Sequence, residues 1–163
     1  MGRWRPPPPK SSPYITAPGF AALQQELRDL WLRRRDVVAA LSAAAAEGDR
    51  SENAEYIYRK KQLGGIDYRI RYLQKRLPTL KVINQNPGNN QVRFGAWITV
   101  ECDDGSTSEY RIVGADEIDH HEAYISVDAP VARALLGKYV DDEVDIKLEN
   151  KAHTLVVLTI EYR

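Results

Sequence analysis

This 163-residue sequence has almost no cysteine, no long apolar run and no apolar N-terminal segment. Cys102 is the single cysteine, which excludes an internal disulfide and a cysteine zinc cluster and favours a reducing, cytoplasmic location. No run of about 18 apolar residues occurs, so we expect no membrane contact through a spanning helix. The first residues, MGRWRPPPPKSSP, contain no apolar core, so we predict that they are not a signal peptide.

The sequence also lacks the residue patterns of a self-sufficient enzyme. It has no recognisable pairing of a nucleophile with a base and no glycine loop suited to binding phosphate, so an autonomous enzyme has little support. The sequence HHE at residues 120–122, taken with His153, matches no standard zinc spacing and favours a surface loop.

Charge is unevenly distributed along the chain, although the total is zero. Residues 1–80 contain 15 Lys and Arg against 8 Asp and Glu, and residues 81–163 contain 8 against 15. Such asymmetry indicates a first half that faces a polyanion and a second half with another task, or simply two solvated surfaces that differ.

Four consecutive prolines lie near the start of the chain. A proline run favours an extended segment that builds no core. We therefore predict that residues 1–15 form a disordered, proline-rich tail.

Two heptad patterns predict an antiparallel coiled coil over residues 16–83. The first begins after Thr16, a suitable helix cap, and is interrupted by Arg34. The second continues through Gly64 and Gly65, which each cost about 1 kcal/mol in a helix. Because only a few residues separate the two patterns, the helices must pack as a hairpin. The apolar positions are Phe20, Leu23, Leu27, Leu30, Val37, Leu41 and Ala44, then Tyr56, Leu63, Ile66, Ile70, Leu73, Leu77 and Leu80.

The rest of the chain reads as strands around one short helix. Residues 84–91, NQNPGNNQ, are a polar linker. Residues 92–163 alternate apolar and polar positions between turn signals such as DDG, and APVARALLGK predicts a short helix with Pro130 near its start. The fold class is therefore α+β, a long helical hairpin followed by an antiparallel sheet.

The junction of the two helices, AEGDRSENAEY, has two interpretations. Asp49 and Glu52 are three residues apart, as in a variant capping box at the start of the second helix. Carboxylates exposed at the end of a hairpin are also hard ligands suited to Mg²⁺, although one pair cannot hold the ion tightly alone. They would complete a site that another protein begins.

Basic residues follow this junction, namely Arg59, Lys60, Lys61, Arg69, Arg71, Lys75 and Arg76. They form either a solvated flank of the coiled coil or a contact with a nucleic-acid backbone.

Several segments together resemble the bacterial Gre transcript cleavage factors, the GreB type more than the GreA type. They are GDRSENAEYIYRKKQL, IDYRIRYLQKRL, FGAWITVECDDG, YRIVGADEI and YISVDAPVARALLGK. The resemblance covers residues 16–163 and implies an N-terminal coiled coil with an FKBP-like C-terminal domain over residues 92–163.

The resemblance also implies a partner and a site. The coiled-coil tip would enter the secondary channel of bacterial RNA polymerase and stimulate the intrinsic cleavage of backtracked RNA. Asp49 and Glu52 would assist this reaction and share a Mg²⁺ with the polymerase, with Ser51 and Asn53 in support. No cofactor of the chain's own is expected.

Two further sets of residues follow from the same resemblance. The 3′ segment of the RNA would be held by Arg59, Lys60 and Lys61. A docking motif, Asp-Ser-Pro in the family, would bind the rim of the channel through Asp128, Ala129 and Pro130, with alanine here as the middle residue. We expect the factor to act as a monomer.

Three alternatives stay open at this point. A Gre-like regulator would occupy the channel without promoting cleavage. A non-catalytic interaction or chaperone module would use the tip residues only as a helix cap. A free-standing ribonuclease would cut bare RNA with Mg²⁺.

Overall fold

The computed structural model describes residues 10–48, 52–84 and 90–163. The described residues divide into two compact units, one within residues 18–80 and the other formed by residues 10–17 together with residues from 81 onward. The first unit is here called the hairpin unit and the second the sheet unit. None of the helices in the described ranges has the length and apolarity needed to cross a bilayer.

Two long helices build the hairpin unit. Helix α1 spans Ala17–Ala46 and helix α2 spans Ala54–Arg76. Helix α2 runs unbroken through both glycines, as the apolar pattern predicts, and gives way at Leu77–Thr79 to a short 3₁₀ helix that contains Pro78. Proline lacks the amide hydrogen and clashes with the preceding turn, which explains this end.

Apolar packing and two ion pairs join the helices. Val37, Ile66 and Ile70 form a small buried cluster. Arg34 Nε lies 2.6 Å from Asp67 Oδ1, which explains why an arginine interrupts the heptad pattern of α1. Arg69 and Glu26 pair through two hydrogen bonds of 2.6 and 3.0 Å. The later residue of α2 pairs with the earlier residue of α1, so the two ion pairs show that the helices are antiparallel.

The sheet unit contains a five-stranded sheet with the order β5-β4-β3-β7-β6. Its strands are β3 Trp97–Glu101, β4 Thr107–Val113, β5 Tyr124–Ser126, β6 Glu143–Leu148 and β7 Lys151–Glu161, and the short helix α3 spans Pro130–Leu135. One core lies between sheet and helix, and its fully buried members include Ile98, Val100, Ile112, Leu135 and Val157.

The α+β class is confirmed, but the prediction of a purely antiparallel sheet is wrong. Strand β5 pairs with β4 in parallel, with Arg111 opposite Tyr124. A parallel pair needs a crossover connection. The segment between these strands, which includes a 3₁₀ turn at Ile118–His120, provides it. The FKBP-like label remains a prediction.

The prediction of a disordered tail through residue 15 is wrong for its last residues. Tyr14–Ile15 form strand β1, which pairs in parallel with β2, Lys81–Val82. Ile15 is fully buried. The two short strands are held further by hydrogen bonds from the amide of Lys81 to the Pro13 carbonyl and from the amide of Ile83 to the Ile15 carbonyl. Residues 1–9 lie outside the described ranges.

Two other predicted boundaries also shift. The heptad patterns predict a coiled coil over residues 16–83, but Lys81–Val82 already belong to the sheet unit. The linker was placed over residues 84–91, but Gln91 forms a bridge with Tyr139. Residues 85–89 of that linker are outside the described ranges.

A buried carboxylate fastens the residue before α1 to the sheet unit. Glu117 is 1% exposed. It accepts hydrogen bonds from the Thr16 amide at 3.0 Å, from the Gly114 amide at 2.8 Å and from the Thr16 hydroxyl. Thr16 therefore donates to Glu117, although the sequence suggested only a helix cap there. Gly114 is needed because a Cβ at this position would lie 2.0 Å from the Tyr14 carbonyl oxygen.

We predict that Gly64→Ala stabilises the hairpin unit by about 1 kcal/mol, the difference between the two residues inside a helix. A Cβ at Gly64 would meet no atom within 4 Å, so the gain in propensity has no steric cost. Urea unfolding followed by far-ultraviolet circular dichroism would measure the change, and a loss of stability would show that α2 is not regular at this residue.

We predict the opposite sign for the same substitution at Gly114. Gly114→Ala forces the new methyl group against the β1 backbone, and overpacking of this kind costs about 1–3 kcal/mol. Gly64→Ala is the matched control in the same unfolding experiment. Unchanged stability for Gly114→Ala would contradict the close approach of β1.

Candidate functional site at the hairpin tip

The tip of the hairpin is the junction between α1 and α2. Gly48 lies two residues beyond the end of α1 and has φ at +136°, a conformation that favours glycine. Of the predicted tip residues, Glu52 and Asn53 lie in the described part, whereas Asp49 and Ser51 do not.

Asn53 connects the two helix ends through its side chain. Its Oδ1 accepts a hydrogen bond of 3.1 Å from the amide of Tyr56, which caps the start of α2. Its Nδ2 donates a hydrogen bond of 2.8 Å to the carbonyl of Ala44, in the last turn of α1. One amide therefore satisfies a backbone donor of one helix and a backbone acceptor of the other.

The predicted capping box is wrong, because the cap position belongs to Asn53 and α2 begins at Ala54. Glu52 precedes the cap instead of lying in the first turn, so it is not in the position from which a capping-box glutamate reaches back. Its side chain is exposed. Capping α2 therefore leaves the Glu52 carboxylate available to a partner.

The basic residues after the tip differ in what they contact. Arg59 Nε lies 2.7 Å from Glu55 Oε1, and its Nη1 donates to Gln62 at 3.1 Å. Lys60 and Lys61 are exposed. Consecutive helical residues point about 100° apart, so these three cations do not share one face.

Lys61 borders a cleft between the two helices. The cleft has a volume of about 520 Å³ and is lined by Leu30, Arg33, Tyr58, Lys61, Gln62, Gly65 and Ile66. Arg33 of α1 and Lys61 of α2 both line the cleft with Tyr58, whose ring is exposed. Sequence reasoning missed Arg33, because membership of the cleft depends on the register between α1 and α2.

The predicted docking motif lies at the start of α3. Asp128 precedes the cap residue Ala129, which makes no side-chain cap, and Pro130 is the first residue of the helix. The Asp128 carboxylate accepts hydrogen bonds from the backbone amide of Ser12 at 2.8 Å and from the Ser12 hydroxyl. Ser12 had no signal in the sequence, since 116 residues separate it from Asp128.

Asp104, His120 and His121 lie in turns and loops of the surface. Hydrogen bonds from the side chain and the backbone of Ser106 lower the pKa of Asp104, as expected for a tight hairpin turn. His120 and His121 are exposed, which agrees with the surface loop predicted from HHE. Within residues 10–48, 52–84 and 90–163, no three His, Cys, Asp or Glu side chains gather as a metal site would require.

Two family models match the chain and define its class. "Transcription elongation factor, N-terminal" matches residues 13–82, and "Transcription elongation factor, GreA/GreB, C-term" matches residues 86–162. The protein is therefore of the transcription elongation factor class. The chain belongs to the GreA/GreB family, as its motifs predicted.

Individual relatives point to the GreB branch. The chain is 56% identical to transcription elongation factor GreB of Xanthomonas axonopodis pv. citri, over 99% of this chain and 98% of that protein. It is 51% identical to GreB of Pseudomonas aeruginosa, with the same coverage of both proteins. A solved GreA/GreB structure from Nitrosomonas europaea is 18% identical, covers 93% of this chain and 100% of its own, and superposes with a TM-score of 0.42.

We predict that Asn53→Ala destabilises the hairpin unit by about 1–2 kcal/mol, because it removes a helix cap and leaves the Ala44 carbonyl without this donor. Asn53→Asp is the matched variant, since it keeps the oxygen that accepts from Tyr56 and loses only the NH₂ donor. We expect Asn53→Asp to lose less stability than Asn53→Ala in chemical unfolding. Equal losses for the two variants would contradict the capping role.

Proposed function

We propose that the chain binds bacterial RNA polymerase and stimulates its intrinsic Mg²⁺-dependent cleavage of backtracked RNA. The observation that carries this proposal is that the Glu52 carboxylate is exposed and does not cap α2, because Asn53 is the cap residue. Membership of the GreA/GreB family and the high identity to GreB proteins support it.

Entry of the hairpin tip into the polymerase secondary channel is part of this proposal. The tip residues are polar and end a long helical pair. Glu52 and Asp49 would bring carboxylate oxygens to the polymerase active site. Asn53 would fix the tip by connecting the helix ends, and Ser51 would support the same turn.

The donor set fits a Mg²⁺ site that is shared and does not belong to the chain alone. Mg²⁺ is commonly bound through one or two carboxylates, with waters and phosphates completing the octahedron. Glu52 offers one such donor in the described part of the chain, and Asp49 would be the second. Bound Mg²⁺ supplies stabilisation of the attacking and leaving oxygens in such sites.

The basic residues would bind the RNA near its 3′ end. Lys60 and Lys61 are exposed and offer charge to phosphates. Arg33 and Tyr58 share the interhelical cleft with Lys61, and an exposed ring can stack on a base. Arg59 remains a predicted contact, with Glu55 as the partner that it would exchange for RNA.

The sheet unit would dock on the polymerase through Asp128, Ala129 and Pro130. Pro130 is exposed at the first turn of α3, and Asp128 is half-buried beside it. We propose that the factor works as a monomer in the cytoplasm and has no cofactor of its own.

We predict that Glu52→Ala and Asp49→Ala each slow factor-stimulated cleavage at least about 10-fold. Changing even a residue that supports a metal ligand typically costs about 10- to 100-fold, and here the ligand itself is removed. The assay uses purified polymerase stalled in a backtracked state and follows cleavage of end-labelled RNA. Glu47→Ala is the control, because it removes an exposed acid near the tip and should retain wild-type cleavage.

Binding of each variant to polymerase, measured in parallel, separates the other functions. A wild-type chain that binds without stimulating cleavage would support the regulator. If the Glu52→Ala and Asp49→Ala variants both stimulated cleavage at the wild-type rate, the result would support the interaction module, in which the tip residues act only as a helix cap. Cutting of bare RNA with Mg²⁺ and no polymerase would support the free-standing ribonuclease.

A further inference from the structure

The Asp128 carboxylate accepts hydrogen bonds from Ser12, a residue 116 positions earlier in the sequence. The amide of Ser12 donates to Asp128 Oδ2 at 2.8 Å, and the hydroxyl of Ser12 donates to Oδ1. Both carboxylate oxygens are therefore engaged by Ser12. Hydrogen bonds to an ionised group are roughly twice as strong as those between neutral groups.

Ser12 is itself held in place by the residues that follow it. Pro13 restricts the backbone of the preceding residue to extended conformations, and its carbonyl accepts a hydrogen bond of 2.7 Å from the Lys81 amide. Thr16 is bound to the buried Glu117. The amide and the hydroxyl of Ser12 therefore belong to a segment that is hydrogen-bonded to other residues of the sheet unit.

The next residue of the docking motif makes no side-chain hydrogen bond at the start of α3. Ala129 has no polar side-chain atom to offer. The amide of Asp128 donates to the Ser126 hydroxyl at 3.1 Å, which holds the backbone of the loop. Of the hydrogen bonds described above, those from Ser12 are the ones that orient the carboxylate.

We infer that Ser12 is a positioning residue for polymerase docking, and that it acts by orienting the Asp128 carboxylate. This inference rests on the proposed docking role of Asp128. A carboxylate that is oriented before binding loses less conformational freedom when the partner arrives, which improves affinity without a new contact. The N-terminal segment is therefore part of the docking surface.

The first test is the affinity of Ser12→Ala for purified RNA polymerase. We expect binding roughly 3- to 10-fold weaker than wild type, the range for one side chain that must be ordered on binding. Ser12→Thr keeps the hydroxyl and should restore affinity. Thr107→Ala removes an exposed hydroxyl elsewhere in the sheet unit and should bind as wild type.

A double-mutant cycle distinguishes positioning from general destabilisation. If Ser12 acts through Asp128, Ser12→Ala should add no further loss in an Asp128→Ala background. A merely structural role would weaken binding in both backgrounds and lower the thermal midpoint. Tighter binding by Ser12→Ala would also overturn the inference, since it would show that Ser12 competes with the polymerase for Asp128.

The Asp128→Ala variant separates failure of this inference from failure of docking. If Asp128→Ala binds as wild type, the proposed docking role falls, and the role of Ser12 with it. If Asp128→Ala binds weakly and Ser12→Ala binds as wild type, only the inference is overturned. The proposed role of the tip is tested independently by the cleavage assay.

Discussion

The side chain of Asn53 connects the two helix ends of the hairpin unit, and the exposed position of Glu52 before α2 follows from this cap. Helix ends carry backbone donors and acceptors that need partners. Asn53 supplies an acceptor to α2 and a donor to α1. A carboxylate at this position could supply only the acceptor when ionised. Because Asn53 is the cap residue, Glu52 precedes α2 and its side chain is exposed.

Sequence patterns predicted much of the fold because apolar periodicity reports local structure. Both helices and the strands of the five-stranded sheet follow from spacing and turn residues. The partner of Arg34 did not, since the ion pair with Asp67 depends on the register between helices. The parallel pairing of β5 was missed for a related reason. Strand direction is set by the path of the connection, which local composition does not specify.

The candidate site was predicted in part. The motif at residues 49–53 identified the tip, and the exposed Glu52 agrees with a site that meets a partner. The capping box was wrong because two acids three residues apart fit a capping motif whether or not the helix begins there. The contact between Ser12 and Asp128 could not be found from sequence, because 116 residues separate the two.

The hairpin unit is inserted within the sheet unit, since residues on both sides of it contribute to the same compact body. This topology sets an order of events during synthesis. The helices make contacts between near neighbours in sequence and can associate early, whereas loops that span long separations close late. The hydrogen-bond partners of Ser12 and Thr16 lie 116 and 101 residues further along the chain, so these contacts form only after those residues have been synthesised. The segment that contains Ser12 and Thr16 is therefore synthesised well before its partners and reaches its native position late.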